Sequence, residues 1–260
     1  MNIIVFLKQV PASTEVRMNP ETHTLVRSGA KSQTNPDDLH ALQMAVDIRT
    51  RVGGIITAVT MGPPQAEAVL REAMLLGADK GILLTDKLFA GSDTLSTGLV
   101  LAALVRKLGN ADILLFGKQA IDGDTAQVGP SVAAQLGILQ LTDVRKVNEV
   151  APRHIVLQRQ SGNSIQTIES PLPCVLTISK EANELSVPTL RAWEKAQMQD
   201  ITSWGAKDLE LKSENLGLTG SPTRVVSIAI PESTSTLTLL QSTTDLMNRL
   251  KTIITSCPNI

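Results

Sequence analysis

The 260-residue chain has no tyrosine, and its aromatic side chains are three phenylalanines and two tryptophans. Proteins that bind single-stranded nucleic acid stack the bases on aromatic rings, so this scarcity argues against that class. Lysine and arginine (24) nearly balance aspartate and glutamate (25), which gives a formal net charge of −1. The sequence therefore shows no basic surface for nucleic acid or for an acidic membrane.

Cysteine and histidine are also too scattered for a metal or redox centre. The two cysteines, Cys174 and Cys257, match no such spacing, and the three histidines form no cluster. We expect Cys174, in "LPCVLTI", to be a buried and unreactive thiol. No apolar run approaches the roughly 20 residues of a membrane span, and the opening "MNIIVFLKQVP" is typical of a short strand. We expect a cytoplasmic protein without membrane insertion or bound metal.

Strands and helices alternate through the first half of the chain. Four apolar runs predict buried strands: "NIIVFLK", "GIITAVTMG", "KGILLTD" and "ADILLFG". Helical patterns follow them, beginning at Asn35, Pro63, Ser92 and Asp124. This alternation predicts an α/β fold with a doubly wound, mainly parallel, Rossmann-like sheet. The strand-to-helix turns would then share one sheet edge, where ligands usually bind.

The remainder of the chain has a different pattern. Residues 12–36 form a polar, irregular segment of a length that is often functional. Beyond about residue 140, "TDVRKVNEV", "HIVLQRQ", "SIQTIES" and "PCVLTIS" predict shorter strands in a small antiparallel portion. From about residue 190 the sequence lacks a clear period, which predicts an extended C-terminal arm. Residues 242–254 return to a helical pattern whose apolar face needs a covering surface. We therefore divide the chain into an α/β domain, residues 1–190, and an arm, residues 191–260.

The turn after the fourth strand, "FGKQAIDGDTAQVG" (residues 116–129), is the main candidate site. One interpretation is purely structural: Gly123 permits a tight turn, Asp124 caps a helix, and Gln127 completes a capping box. The other is a ligand site, in which the amides of residues 125–128 bind phosphate at a helix start and the aspartates face a ribose or adenine. The pattern is neither a Walker A loop nor a GxGxxG motif, so both interpretations stay open.

Two further turns, "TMGPPQA" (60–66) and "GSDTLST" (91–97), follow other strands of the predicted sheet. Each is explained locally by a helix start or cap, but together the three turns outline a crevice for a nucleotide. No nucleophile elbow, histidine pair or acid–base pair is present, so no catalytic residue is predicted. A protein that binds a redox cofactor fits this pattern, because the cofactor carries the chemistry.

The chain resembles the beta subunit of an electron-transfer flavoprotein. The matching segments are "VFLKQVP", "NPDD", "GKQAIDGDTAQVGP", "PTLRAWEKA" and "LGLTGSPTRV", in that order along most of the chain. The resemblance implies an adenine-nucleotide-binding α/β fold and a heterodimer with an alpha subunit that holds one FAD. It also implies that the C-terminal arm wraps around that partner.

The resemblance also implies a choice between two ligands. Ordinary members hold a structural AMP in the beta subunit and only relay electrons. Bifurcating members, typical of anaerobic metabolism, hold a second FAD there. That FAD takes hydride from NADH and sends one electron to ferredoxin or flavodoxin, and the other through the alpha-subunit FAD to or from a dehydrogenase. "NPDD" with "DGDTAQVGP" resembles the bifurcating version, whereas ordinary members read like "NPF" with "DDDCNQTG". Gly123 and Ala126 leave more room, which favours FAD over AMP.

The family's contacts can be carried over residue by residue. Those to ribose and phosphates would be Asp122, Gly123, Asp124, Thr125, Ala126, Gln127 and Val128. Those near the adenine or flavin would be Leu7, Asn35 and Asp38, and the rest of the site would be Met61, Gly62, Thr94 and Thr97. Leu190 would be the leucine that docks an acyl-CoA or hydroxy-acid dehydrogenase. Here "NELSVPTL" replaces the usual "NEPRYATL", and "EKAQMQD" replaces a lysine run, which implies a different, more dedicated dehydrogenase.

Overall fold

The computed structural model describes residues 1–12, 32–223, 240 and 242–256. The chain forms two compact units, Met1–Arg224 and Val225–Ile260. Most of the irregular segment predicted over residues 12–36 lies outside the described residues, as do His23 and Cys257. Residues 224–239, 241 and 257–260 of the predicted arm lie outside them as well.

The first part of the larger unit alternates between strands and helices, as predicted. Its elements are β1 (Asn2–Phe6), β2 (Gln9–Pro11), β3 (Ser32–Thr34), α1 (Pro36–Val52), β4 (Ile55–Met61), α2 (Glu67–Leu75), β5 (Lys80–Leu84), α3 (Thr94–Leu108), β6 (Ile113–Gly117) and α4 (Val128–Leu136). Short 3-10 turns at Pro64–Ala66 and Lys87–Phe89 lie between these elements. Along the chain, each of the four predicted helices comes after one of the four apolar runs that predicted strands.

The second part contributes β7 (Leu139–Val150), β8 (His154–Ser161), β9 (Ser164–Pro171), β10 (Cys174–Ile178), α5 (Leu190–Met198), β11 (Ile201–Trp204) and α6 (Gly217–Gly220). Two further 3-10 turns span Lys180–Ala182 and Ser213–Asn215. In the smaller unit, α7 spans Thr243–Ser256, where a helix was predicted. Its apolar residues Leu246, Met247, Leu250 and Ile254 are exposed. No helix in the described part of the chain has the length and apolar character needed to cross a bilayer.

Nine strands form one sheet in the order β11-β5-β4-β1-β6-β10-β7-β8-β9, and β2 and β3 form a separate antiparallel pair. Neighbouring strands from β11 to β7 are parallel, while β8 pairs antiparallel with β7 and β9. The predicted doubly wound, mainly parallel sheet with a small antiparallel portion is confirmed. Because β1 lies between β4 and β6, the strand order reverses there, and such a switch point is where ligands bind in this class of sheet.

The sheet is buried on both faces, which explains the continuous apolar runs of its central strands. Side chains of α1 and α2, such as Ile48 and Leu70, belong to the core that covers one face. Those of α3 and α4, such as Leu104 and Val132, belong to the core on the other face. Along β6 the residues alternate, so that Leu115 joins the first core and Leu114 the second.

Two features differ from the expected pattern. The prediction that "PCVLTIS" belongs to the antiparallel portion was wrong, because β10 runs parallel between β6 and β7 with all five residues buried. β7 is not a short strand either, since it has 12 residues. Cys174, the first residue of β10, is fully buried, and burial raises the pKa of its thiol to about 12. That result agrees with the expected unreactive cysteine.

Part of the segment predicted as an arm also contributes to the sheet. β11 pairs with β5 at the edge of the sheet. Ala206, Leu209 and Leu216 are buried in the second core. The sequence showed no clear period here because these contacts come from an edge strand and from turns. The packing of the arm on a partner subunit stays a prediction.

Candidate functional site

A cleft of about 490 Å³ opens at the switch point of the sheet. It lies at the carboxyl ends of β1, β4 and β6 and reaches the first turn of α3. One lining residue comes from each of these elements: Leu7 after β1, Met61 at the end of β4, Gly117 at the end of β6 and Thr94 at the start of α3. We call it the switch-point cleft. The predicted sharing of one sheet edge by the strand-to-helix turns is confirmed.

Most of the predicted cofactor-binding residues line this cleft. They are Leu7, Asp38, Met61, Thr94, Thr97, Gly123, Asp124, Thr125, Ala126, Gln127 and Val128. Asn35, Gly62 and Asp122 are not among its lining residues, although each adjoins one in sequence or through a hydrogen bond. The structure therefore brings the predicted positions together, and their contact with a ligand stays a prediction.

The structural interpretation of "DGDTAQ" was right about a tight turn at Gly123, where the amides of Gly123 and Asp124 bond to Ala120 O, but wrong about the cap. Helix α4 begins at Val128 rather than at Asp124, and Gln127 precedes it without a side-chain capping bond. Asp124 has φ 50°, a left-handed conformation that cannot continue into a right-handed helix. The predicted capping box is therefore absent from this turn. We call residues 118–127 the cleft loop.

Unpaired backbone amides are the main chemical feature of the cleft loop. Within the described residues, no hydrogen-bond acceptor lies in range of the amides of Thr125, Ala126, Gln127 and Val128. Ala126 has φ 53° and Gln127 has φ −107°, and such a change of hand between neighbouring residues is typical of backbone concavities that bind anions. A left-handed alanine is strained, and such strain is found where a ligand site requires the conformation. The loop can bind phosphate oxygens.

Asn35 holds the cleft loop in place from a distant part of the sequence. It is the residue before α1, as predicted, but its side chain makes no capping bond to that helix. Instead, the fully buried side chain donates to Gln119 O at 2.9 Å and accepts from the Ile121 amide at 3.2 Å. A second tie is the 2.7 Å ion pair between Lys8 Nζ and Asp122 Oδ1. Asn35 and Asp122 therefore shape the loop whether or not they touch a ligand.

Asp38 joins the ends of the two strands that flank the switch point. Its carboxylate accepts the amide of Lys8, after β1, at 2.8 Å and that of Gly117, at the end of β6, at 3.1 Å. Burial raises the pKa of Asp38 to about 7, against the opposing hydrogen bonds from Asn35, Lys8 and Gly117. A Cβ at position 117 would collide with the Asp38 carboxylate, so this position requires glycine.

The opposite wall of the cleft is built around Asp93. This residue caps α3 through bonds from the amides of Leu95 and Ser96, both at 3.0 Å, and also accepts the Thr223 amide at 3.1 Å. Burial acts to raise the pKa of Asp93, but these backbone bonds outweigh it and hold the pKa below its usual value. Thr94 and Thr97 lie on the same helix, and Thr223 closes this side of the cleft. The predicted Ser/Asp cap is confirmed.

All three phenylalanines of the chain line the cleft, a feature that the sequence analysis missed. Phe6 and Phe116 stack with ring centroids 4.3 Å apart and an angle of 9° between the ring planes. Phe89 follows β5 on the same edge of the sheet. The signal was available, because each of these rare aromatic residues stands at or shortly after the carboxyl end of a parallel strand. Together they give the cleft an apolar floor.

Other lining residues were not among the predicted cofactor contacts. Ser92, Asp93, Lys118 and Gln119 belong to the predicted turns, whereas Lys8 and Thr223 lie outside them. Lys118 Nζ pairs with Asp143 Oδ2 at 2.9 Å, which ties the cleft loop to β7. In the described ranges, no group of three or more histidine, cysteine, aspartate or glutamate side chains could hold a metal. The cleft combines unpaired backbone amides with an apolar floor.

Leu190, the predicted docking residue, lies on a different surface. It is the first residue of α5, and its side chain is 75% exposed. Val187 and Met198 nearby are 89% and 86% exposed, and Trp193 is half exposed. This group of exposed apolar side chains belongs to residues 183–199, which we call the α5 segment.

Comparison with known proteins identifies the family. A family profile described as "Electron transfer flavoprotein domain" matches residues 22–209. The chain is 46% identical over 237 residues to the electron transfer flavoprotein subunit beta of Thermoanaerobacterium thermosaccharolyticum, covering 90% of this chain and 89% of that one. It is 44% identical over 240 residues to protein FixA of Azorhizobium caulinodans, covering 90% and 85%. It is also 41% identical over 226 residues to the caffeyl-CoA reductase-Etf complex subunit CarD of Acetobacterium woodii, covering 86% of each chain.

Proposed function

Because the chain belongs to the electron transfer flavoprotein family, alongside its beta subunits and the FixA proteins, we propose that its switch-point cleft binds FAD and that it works in a heterodimer with an alpha subunit. When bound there, FAD would accept hydride from NADH and pass the electrons on one at a time. One electron would go to ferredoxin or flavodoxin, and the other through the alpha-subunit FAD to a dehydrogenase. The observation that carries the proposal is the row of unpaired amides at residues 125–128, which belong to residues that line the cleft at the switch point.

The residues present fit a dinucleotide. The amides of the cleft loop would bind the pyrophosphate, because successive N–H groups in such a concavity favour an anion. Thr94 and Thr97 add hydroxyls on the opposite wall, and the phenylalanine floor would exclude water from the ring that lies on it. No side chain needs to donate or accept a proton in this account, because the chain's residues bind and orient the cofactor.

The space around Gly123 favours FAD over AMP. Apart from its two chain neighbours, no described residue has an atom within 4 Å of the position that a Cβ would take at Gly123. The cleft also extends from this loop across the ends of β1 and β4 to Met61. A ligand longer than a mononucleotide can therefore continue past the phosphate-binding loop.

The exposed apolar side chains of the α5 segment support a docking role. We assign Leu190 and its neighbours as the surface that contacts a dehydrogenase, since exposed apolar side chains that cluster together mark interaction sites. One relative carries the name of a caffeyl-CoA reductase-Etf complex subunit, which is consistent with a dedicated partner of the acyl-CoA class for this chain.

Cofactor stoichiometry tests the proposal. The heterodimer is purified and denatured, and the released nucleotides are separated and quantified. We expect two FAD per heterodimer and bleaching of the flavin absorbance on addition of NADH. One FAD and one AMP per heterodimer, without bleaching by NADH, would instead identify an ordinary member that relays electrons.

A further inference from the structure

We propose that His40, Asn183 and Arg71 are positioning residues that hold the α5 segment as a preformed docking platform for an apolar surface of the partner dehydrogenase. This inference rests on the proposed docking role of Leu190. It concerns residues outside the exposed apolar group: His40 and Arg71 on the helices α1 and α2 that cover the sheet, and Asn183 at the start of the α5 segment.

The first anchor lies at the beginning of the segment. His40 Nδ1 and Asn183 Oδ1 are 2.9 Å apart, and Asn183 Nδ2 donates to the backbone oxygen of His40 at 3.0 Å. Asn183 is therefore held by two hydrogen bonds to His40 of α1. One turn further along that helix, the Gln43 side chain accepts the Ser186 amide at 3.0 Å. These bonds link residues 143 positions apart in the sequence.

The second anchor lies at the end of the segment. Arg71 of α2 donates to Gln199 O at 2.6 Å and to Ala196 O at 3.3 Å. A cation at the last carbonyls of a helix satisfies groups that the helix itself leaves unpaired, and it is favoured by the helix dipole. The guanidinium is itself oriented by Glu67 at 3.0 Å. Ala196 is buried, so α5 is fixed on α2 by packing as well as by these bonds.

The exposed apolar group lies between the two anchors. Its members come after the first anchor and before Gln199, and their side chains are between half and almost fully exposed: Val187, Leu190, Trp193 and Met198. Holding apolar side chains in water without compensation is unfavourable, so a mobile segment would turn them inward. Anchoring at both ends prevents that movement. It also reduces the ordering cost when a partner binds, which strengthens association without any new contact.

The first anchor also relates the platform to the cleft. Asn35, just before α1, holds the cleft loop, and Asp38, in the first turn of α1, holds the strand ends. The next turns of the same helix carry His40 and Gln43, which hold the α5 segment. A rigid helix therefore sets the distance between the proposed flavin site and the proposed docking surface.

Kinetics and hydrogen exchange on the assembled heterodimer test this role. The probe is a purified acyl-CoA dehydrogenase that the wild-type heterodimer reduces with NADH. For Asn183→Ala and for Arg71→Ala we expect the KM for the dehydrogenase to rise about tenfold, with kcat and flavin bleaching by NADH unchanged. Amide exchange in residues 184–199 should accelerate, while exchange in β1, β4 and β6 stays as in the wild type. Asn183→Asp, which keeps the acceptor for His40, should have a smaller effect.

Matched controls separate this inference from the docking proposal. Asn163→Ala and Arg153→Ala change exposed residues whose side chains make no hydrogen bond or ion pair in the described part of the chain, and both should leave the KM unchanged. If Leu190→Ala raises the KM but the anchor variants do not, or if exchange in the segment is unaltered, the positioning role is overturned. If Leu190→Ala itself leaves the KM unchanged, the docking proposal fails instead.

Discussion

At the scale of single residues, the cleft depends on an acid that is held by two backbone amides and is shielded from water. An unfolded aspartate titrates near 3.8, whereas burial raises the pKa of Asp38 to about 7 in the folded chain. Between these pH values the folded chain binds the extra proton, so stability decreases as the pH rises from about 4 through 7. Below pH 7, the folded chain therefore holds Asp38 mainly in its protonated form.

Asp38→Asn tests this account. The amide side chain can accept on only one atom, so the N–H of Lys8 or Gly117 loses its acceptor, at a cost of about 1–3 kcal/mol. The variant does not titrate, so the stability advantage of the wild type should be larger at pH 5 than at pH 8, by roughly 2–3 kcal/mol. Urea unfolding of the full chain at the two pH values measures this difference. An equal difference at both would contradict the raised pKa.

Gly123 allows a cleaner test of the ligand site, because its surroundings are open. Apart from the two chain neighbours, no described residue has an atom within 4 Å of the Cβ of a leucine at this position, so folding should be unaffected. The new side chain would enter the space assigned to the cofactor. We expect Gly123→Leu heterodimer to lose the cleft ligand, with at least tenfold lower occupancy, while the alpha-subunit FAD stays bound.

Nucleotide analysis after denaturation measures both occupancies in the Gly123→Leu sample, and thermal unfolding checks its stability. Asn163→Leu, in the exposed β8–β9 turn, is the matched control for adding a leucine. Full occupancy of both ligands in Gly123→Leu would show that the cleft loop is not the site.

At the scale of elements, the wall opposite the cleft loop depends on the cap of α3. Asp93 joins the helix start to Thr223, so its removal should shorten the helix and release the chain that closes the cleft. We expect Asp93→Ala to lower the free energy of unfolding by about 1–2 kcal/mol and Asp93→Asn by less, since asparagine also caps helices. Because the pKa of Asp93 is lowered, this stabilisation is present above pH 4 and is lost at lower pH. Denaturation of the three proteins at pH 7 and pH 3 measures it, and an unchanged Asp93→Ala difference at pH 3 would contradict the account.

The elements also show why some features could be predicted from the sequence and others could not. The strands β1, β4, β5 and β6 were found because burial on both faces requires continuous apolar runs, and the cleft followed from their shared edge. The conformation of the cleft loop was not predicted. Its residues Asp124 and Ala126 are left-handed, and the loop is held by hydrogen bonds to Asn35, more than 80 residues earlier in the chain. The parallel position of β10 likewise depends on its neighbours, β6 and β7, and not on its own residues.

At the scale of the whole molecule, the larger unit carries two proposed functions on different surfaces. The cleft lies at the carboxyl ends of the parallel strands, while the α5 segment packs on α1 and α2. Long-range side-chain bonds such as His40–Asn183 could not be predicted from one sequence, because nothing in the local pattern pairs the two residues.

The smaller unit supplies the last prediction, which concerns the heterodimer. Along α7, Leu246, Leu250 and Ile254 recur at intervals of four residues and are exposed, so they form an apolar stripe on one helix face. If this stripe contacts the alpha subunit, as the family resemblance implies, Leu250→Asp removes buried apolar area and places a charge in the contact. We expect the dissociation constant of the heterodimer to rise about 30-fold or more, since a buried leucine contributes roughly 2 kcal/mol.

Asn248→Asp adds the same charge to an exposed polar position of α7 and should leave the constant unchanged. Analytical ultracentrifugation of the two variant heterodimers measures both constants, and equal affinities would exclude α7 from the subunit interface.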